Sequence, residues 1–250
     1  GVENDRNVIR ESVRDFAESL RPKSRGKLIQ FRDYQIDAIW YAIQSNRCLL
    51  LSPTASGKSL IIYTLVRYYN LMKLKTLILV PTTSLVEQMY SDFIDYGWED
   101  KHMHRVYAGM DKGSTKPVVI STWQSLYKLH RKYFEQYGCI IGDEAHLFKA
   151  KSLTDIMVRS GDCKFRFGLT GTLDGTQTHR LVLEGLFGQV KKIISTKELI
   201  DRGTLAMLEI DCIVLKHTEE ECKRVRKYTY AEELNYIVSH TKRNEFIEKL

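Results

Sequence analysis

Short apolar runs alternate with longer stretches of mixed character from Phe31 to about Leu173. The runs are Cys48–Leu51, Thr76–Val80, Arg105–Tyr107, Val118–Ile120, Cys139–Gly142 and Arg166–Leu169. Each has the length of a strand buried on both faces, as strands of parallel sheets are. Between them, Ser59–Tyr69 and Ser84–Tyr96 repeat apolar positions at helical spacing. Strands that alternate with helices predict right-handed crossovers, hence an α/β domain with a mostly parallel sheet and helices on both faces. Upstream, Ile9, Val13, Phe16 and Leu20 mark one face of an amphipathic helix that Pro22 and Gly26 interrupt. Downstream, Thr196–Arg202 reads as a short helix stopped by Gly203, and Glu209–Leu215 as a strand. The charged remainder reads as helix. This divides the chain into a helical appendage or remnant of a further domain (1–30), an α/β domain (31–215) and a helical segment leading out of it (216–250).

Charge and composition narrow the picture only slightly. A formal net charge of +7 fits a phosphate-rich partner without demanding one. The five cysteines include no C-x-x-C pair, and several lie in apolar runs. Buried reduced thiols are therefore expected rather than zinc ligands or disulfides. The seven histidines show no metal-ligand spacing either. No apolar stretch approaches a membrane span and the first residues do not resemble a signal peptide, so the expectation is a cytoplasmic protein with no membrane partner.

The sharpest local pattern is Ser52-Pro53-Thr54-Ala55-Ser56-Gly57-Lys58-Ser59, between an apolar strand and a helix. That is the context of a phosphate-binding loop: backbone N–H groups and a helix N-terminus converge on one anion site. Gly57 permits close approach, Lys58 neutralises β- and γ-phosphate charge, and the Ser59 hydroxyl is a Mg²⁺ ligand candidate. Ser52 stands where the simplest pattern has glycine, and a chance Gly-Lys-Ser at a helix start is the plain alternative. Cys139–Gly142 then runs into Asp143-Glu144-Ala145-His146. Two carboxylates at a strand's carboxyl end suit Mg²⁺ binding by Asp143 and activation of water by Glu144, although a solvated acidic turn reads the same way in isolation.

These two motifs, followed by Leu169-Thr170-Gly171-Thr172, resemble motifs I, II and III of superfamily 2 helicases. Others fall in the same order. Phe31-Arg32-Asp33-Tyr34-Gln35 resembles the adenine-reading motif. Val80 to Gln88 resembles motif Ia, and Ile120 to Leu126 resembles motif Ib. Glu198 to Ala206 resembles a segment that follows the first motor domain. The loop, the Pro81-Thr82-Thr83 stretch and the Ser121-Thr122-Trp123-Gln124 stretch are most similar to UvsW-type recombination and repair helicases of tailed phages. Restriction-enzyme helicase subunits and XPB-like translocases share much of the pattern.

The resemblance implies a RecA-like P-loop NTPase domain using ATP and Mg²⁺. Its nucleotide contacts are Arg32, Gln35, Thr54, Ala55, Ser56, Gly57, Lys58 and Ser59, and its metal ligands are Ser59 and Asp143. Lys58, Asp143, Glu144 and His146 form the catalytic set, while Thr170 and Thr172 couple nucleotide state to the track, unless they are ordinary threonine caps. Pro81, Thr82, Thr83, Gly109, Thr122, Trp123 and Gln124 line a track for DNA, single-stranded or branched; Trp123 fits packing beneath the loop better than stacking on a base. The motifs of a second RecA-like domain, with its arginine finger, have no match, so that domain is an expected partner. For a phage-encoded protein the location would be the host cytoplasm. The rival readings are a double-stranded DNA translocase, an RNA helicase, a P-loop small-molecule kinase and a passive DNA-binding module.

Overall fold

The computed structural model describes residues 8–149, 151–173, 175–206 and 212–249. The chain forms two compact units, 1–206 and 207–250.

In the first unit, α1 (Arg10–Ser19) leads into a small antiparallel hairpin, β1 (Lys23–Ser24) and β2 (Lys27–Leu28). Then follow α2 (Asp33–Ser45), β3 (Arg47–Leu51), α3 (Lys58–Leu71), β4 (Thr76–Val80), α4 (Thr83–Asp95), β5 (Met103–Val106) and β6 (Val118–Thr122). Two short helices, α5 (Trp123–Leu126) and α6 (Arg131–Phe134), precede β7 (Cys139–Asp143). A 3₁₀ turn (Ala145–Lys149), α7 (Lys151–Arg159), β8 (Phe165–Thr170), α8 (Gln177–Phe187), β9 (Val190–Lys192) and α9 (Thr196–Asp201) complete the unit.

Seven strands form one sheet in the order β5-β6-β4-β7-β8-β3-β9, with every pairing parallel. The alternating direction of side chains along each strand feeds two cores. Leu50, Ile78, Ile120, Ile141 and Phe167 face one side with α2 and α3. Leu49, Leu77, Leu79, Val119 and Ile140 face the other, with Phe148, Leu153 and Phe187. Both faces are covered, and this is why the strands read as continuous apolar runs.

The first helix packs on α2. Val13 and Ala17 are buried, Arg10 and Arg14 pair with Asp33 and Asp37, and the Trp40 indole donates to the Val8 carbonyl at 2.8 Å. Ser195 and Glu198 cap α9 reciprocally, and Gly203 at φ +64° ends it as expected.

Two expectations need correction, and one strand was not anticipated. The fifth strand begins at Met103, earlier than Arg105, and stops at Val106. The edge strand β9 carries only one apolar residue, Val190; Lys191 and Lys192 point to solvent, which guards an edge but hides it from an apolar search. Of the strand expected over Glu209–Leu215, 209–211 lie outside the described residues and 212–215 are irregular.

The second unit contains α10 (Glu219–Val225), α11 (Tyr230–Ser239) and α12 (Thr241–Ile247). Thr218 with Glu221, and Thr229 with Glu232, form capping boxes at the first two.

Candidate active site and adjoining groove

Strand order explains what meets at the carboxyl edge of the sheet. Strand β8 lies between β3 and β7, and Leu51 pairs with Thr170 as Asp143 pairs with Leu169. The loop after β3, the acids after β7 and Thr170 therefore emerge side by side. Ser52 N–H donates to the Thr170 carbonyl at 2.8 Å, tying the first of these segments to the third.

Gly57, at φ +84°, and Ala55, at φ +67°, turn the loop so that α3 starts at Lys58. The positive φ at Gly57 strains any residue with a Cβ, and a Cβ there would also push against the Gln35 amide. Ser52, out of pattern in sequence, is buried. The Ser56 hydroxyl donates to the Pro53 carbonyl at 2.6 Å, which leaves Ser52 Oγ to donate to Ser56 Oγ, also at 2.6 Å. The serine thus braces the loop from within. Gln35 is buried as well; its Oε1 accepts from Arg32 N–H at 3.0 Å and its Nε2 donates to the Ser56 carbonyl at 2.9 Å. Tyr34 OH adds a bond to the same carbonyl at 3.1 Å, and Arg32 donates to Tyr34 OH at 2.7 Å. The segment expected to face adenine is built first of all to hold the phosphate loop. Tyr34, not singled out in the sequence, shares that task; its place beside Gln35 was the available clue.

A cleft of about 390 Å³ is lined by Thr54, Ala55, Gly57, Lys58, Ser59, Asp143 and Glu144, with Asp92 and neighbours from α4 closing it. Lys58 Nζ lies 2.8 Å from Glu144 Oε1. Burial pushes the Asp143 carboxyl up from its ordinary value, against the opposing pull of Lys58. Ser59 Oγ is 2.8 Å from Tyr96 OH and also hydrogen-bonds Asp92, whose carboxyl burial likewise raises. Asp92 and Tyr96, eight and twelve residues past Ser84 on the motif Ia helix and its cap, were not anticipated.

His146 Nδ1 is 2.9 Å from Thr170 Oγ1 and 3.3 Å from Glu144 Oε2. The Thr170 hydroxyl donates to the Thr172 carbonyl at 2.9 Å, so it must accept from His146, and Nδ1 carries the hydrogen. A chain of contacts therefore runs Lys58–Glu144–His146–Thr170–Thr172, hydrogen-bonded at every link except the 3.3 Å approach of Glu144 to His146.

The other half of the same edge, after β4, β5 and β6, forms a groove of about 570 Å³. Pro81, Thr82, Thr83, Gly109, Thr122 and Gln124 line it, joined by Tyr107, Lys112 and Ser125. Thr82 caps α4 by accepting from Leu85 N–H, and Gln124 donates to the Pro81 carbonyl at 3.3 Å. Trp123 is the exception: its ring packs against the core with Leu126 and Phe134 and does not line the groove. Lys112 was missed because it sits in an irregular polar loop.

In the second unit, His217, Glu221 and His240 present ligand atoms within 4.8 Å of one another. This grouping was not visible as a spacing because His240 lies far along the chain, between α11 and α12. Its Nδ1 accepts from Arg243 N–H at 3.2 Å, so the hydrogen of the neutral ring sits on the nitrogen that faces Glu221. That tautomer suits a Glu–His contact and opposes metal ligation.

The family profile of the type III restriction enzyme res subunit (ResIII) matches residues 28–175. The ATP-dependent DNA helicase UvsW of Enterobacteria phage T4 is 34% identical over 255 residues, covering 100% of this chain and 51% of that protein. The DNA 3'-5' translocase XPB2 of Sulfurisphaera tokodaii is 27% identical over 78% of this chain and 43% of that protein. The chain thus spans about half the length of the curated relatives it matches. A crystal structure of the bacteriophage T4 UvsW helicase superposes with a TM-score of 0.69 at 35% identity, over 74% of this chain and 68% of that one. The Pyrococcus furiosus Hef helicase domain, at 21% identity and a TM-score of 0.55, shares the fold. The chain belongs to the ResIII family and carries a RecA-like domain of the superfamily 2 helicase type, similar to that of phage T4 UvsW.

Proposed function

We propose that this chain is the ATP-binding lobe of a DNA helicase or branch-migration motor acting in recombination, repair or replication. The observation that carries the reading is the chain of contacts from Lys58 to Thr172, at the same sheet edge as the groove. Backbone N–H groups from Thr54 to Ser59 cradle the phosphates, and Arg32 and Gln35 border the base side. Lys58 leaves Glu144 to neutralise phosphate charge, which frees that carboxylate to orient and deprotonate the attacking water. Ser59 and Asp143, oxygen donors lining one cleft, fit a Mg²⁺ ion, and the buried Asp143 carboxylate is the group such an ion would neutralise. When bound, the ion screens the charge on the phosphate oxygens. His146, Thr170 and Thr172 exchange hydrogen-bond partners as the γ-phosphate departs, and so report nucleotide state to the groove.

Hydroxyls, glycine and Lys112 in the groove suit phosphates and sugars rather than base edges, so little sequence preference is expected. A second RecA-like lobe would close over the nucleotide and add an arginine finger, worth about 10³–10⁵ in turnover in related phosphoryl transfer. The lobe alone should therefore hydrolyse ATP poorly. The host cytoplasm is the fitting location for a phage-type motor.

The likeness to a DNA translocase supports a second reading, movement along duplex without strand separation. The two are separated with the two-lobed protein on branched and duplex DNA. Strand separation supports the helicase; displacement of a bound obstacle from intact duplex supports the translocase. ATP-dependent movement on RNA alone would contradict both.

A further inference from the structure

Helix α8 buries His179, Leu183 and Phe187, a single face at i, i+4 and i+8. The last of these fixes the helix along its axis. Gly142 and Gly168 are partners across β7 and β8, and a Cβ on either would come within 3.0 Å of the Phe187 ring. The ring fills the space those two absent side chains leave, and it meets Phe148 edge-on at 5.0 Å. With Phe187 seated, His179 falls two turns nearer the helix N-terminus, over the 3₁₀ turn that follows Glu144. Its Nε2 is 2.9 Å from the His146 carbonyl oxygen. A carbonyl only accepts, so Nε2–H is the donor.

We propose that His179 is a positioning residue for His146. It holds the His146 peptide so that the imidazole stays registered between Glu144 and Thr170, and so links α8, the helix after motif III, to motif II. The contact is to backbone, which explains why a polar residue occupies the inner face of an otherwise apolar helix stripe. What the registered imidazole transmits rests on the function proposed above; the positioning itself does not.

The test compares H179L and H179M, which keep bulk but no donor, with H179Q, whose amide nitrogen reaches the position of Nε2, in the two-lobed protein with ATP and with or without single-stranded DNA. Loss of the buried donor should lower kcat about tenfold, and H179Q should recover most of it. The KM for ATP should stay within about twofold, because the nucleotide contacts are untouched. In an H146A background, H179L should cost nothing further. Equal kcat for H179Q and the donor-free variants, a loss confined to KM, or full additivity with H146A would overturn the proposal. Wild-type turnover indifferent to DNA would sink the functional reading instead, and the ratio of H179Q to H179L with ATP alone would still decide the role of His179.

Discussion

Lys58 Nζ lies 2.8 Å from Glu144 Oε1, so the phosphate loop and the carboxylate after β7 hold each other directly. Glu144 does this from a left-handed backbone, φ +51°, at a cost of about 1–2 kcal/mol for a residue with a Cβ. The carboxylate is aimed into the cleft by backbone strain, and the same group must release Lys58 when phosphate arrives. Replacing Glu144 by Gln weakens the grip on Lys58 and removes the base. Nucleotide affinity should then be equal or tighter, while turnover falls about 10²–10⁴-fold. Titration with a slowly hydrolysed ATP analogue, beside single-turnover hydrolysis, measures both. Weaker binding with unchanged turnover would refute the assignment.

The seat of Phe187 sets a stability prediction. A methyl group added at Gly168 would lie 2.7 Å from Leu49 Cδ1 and 3.0 Å from the Phe187 ring. Overpacking of this kind costs about 1–3 kcal/mol, and F187A, which empties the slot, about 3–5 kcal/mol. Urea denaturation of G168A and F187A reads both; a G168A midpoint equal to wild type would mean that the slot has room.

Thiol reactivity should divide the five cysteines. Cys48, Cys139 and Cys163 are buried and Cys212 and Cys222 exposed. Burial disfavours the thiolate, raising all three buried thiols, Cys163 to about 11. The exposed pair should react in the native protein, while the buried three stay silent until the protein is denatured. A colourimetric thiol count that exceeds the exposed pair in native protein would contradict this burial.

Lys112 is the one lysine lining the groove among the described residues. K112A should weaken DNA binding evenly across sequences and reduce the slope of log affinity against log salt by about 0.7 on single strands. An unchanged slope would place the phosphates elsewhere.

Much of this was legible because phosphate chemistry restricts residue choice. Gly57, Lys58 and Ser59 stand where an anion site needs a bare backbone, a cation and a hydroxyl, and buried β3, β4, β7 and β8 announce themselves as apolar runs. What stayed hidden depends on contacts across elements. Gln35 reads in sequence as a base contact, and its second task, bracing Ser56 and the Arg32 N–H through both ends of its amide, is visible only in the fold. Ser52 looked like a lost glycine and proves to be a brace. Tyr96 reaches Ser59 from the end of α4, and His179 reaches His146 from α8; neither spacing has a period that a single chain displays. Strand β9 failed the apolar search because an edge needs lysines more than it needs a core.

We propose that ATP turnover at Lys58 and Glu144 is coupled to nucleic acid in the adjoining groove. The steady-state ATPase rate of the two-lobed protein decides this, alone and with single-stranded, duplex and branched DNA, each repeated with K58A. DNA should raise kcat, and K58A should abolish turnover under every condition. Turnover that ignores nucleic acid, or phosphate transferred to a small acceptor in its absence, would contradict it.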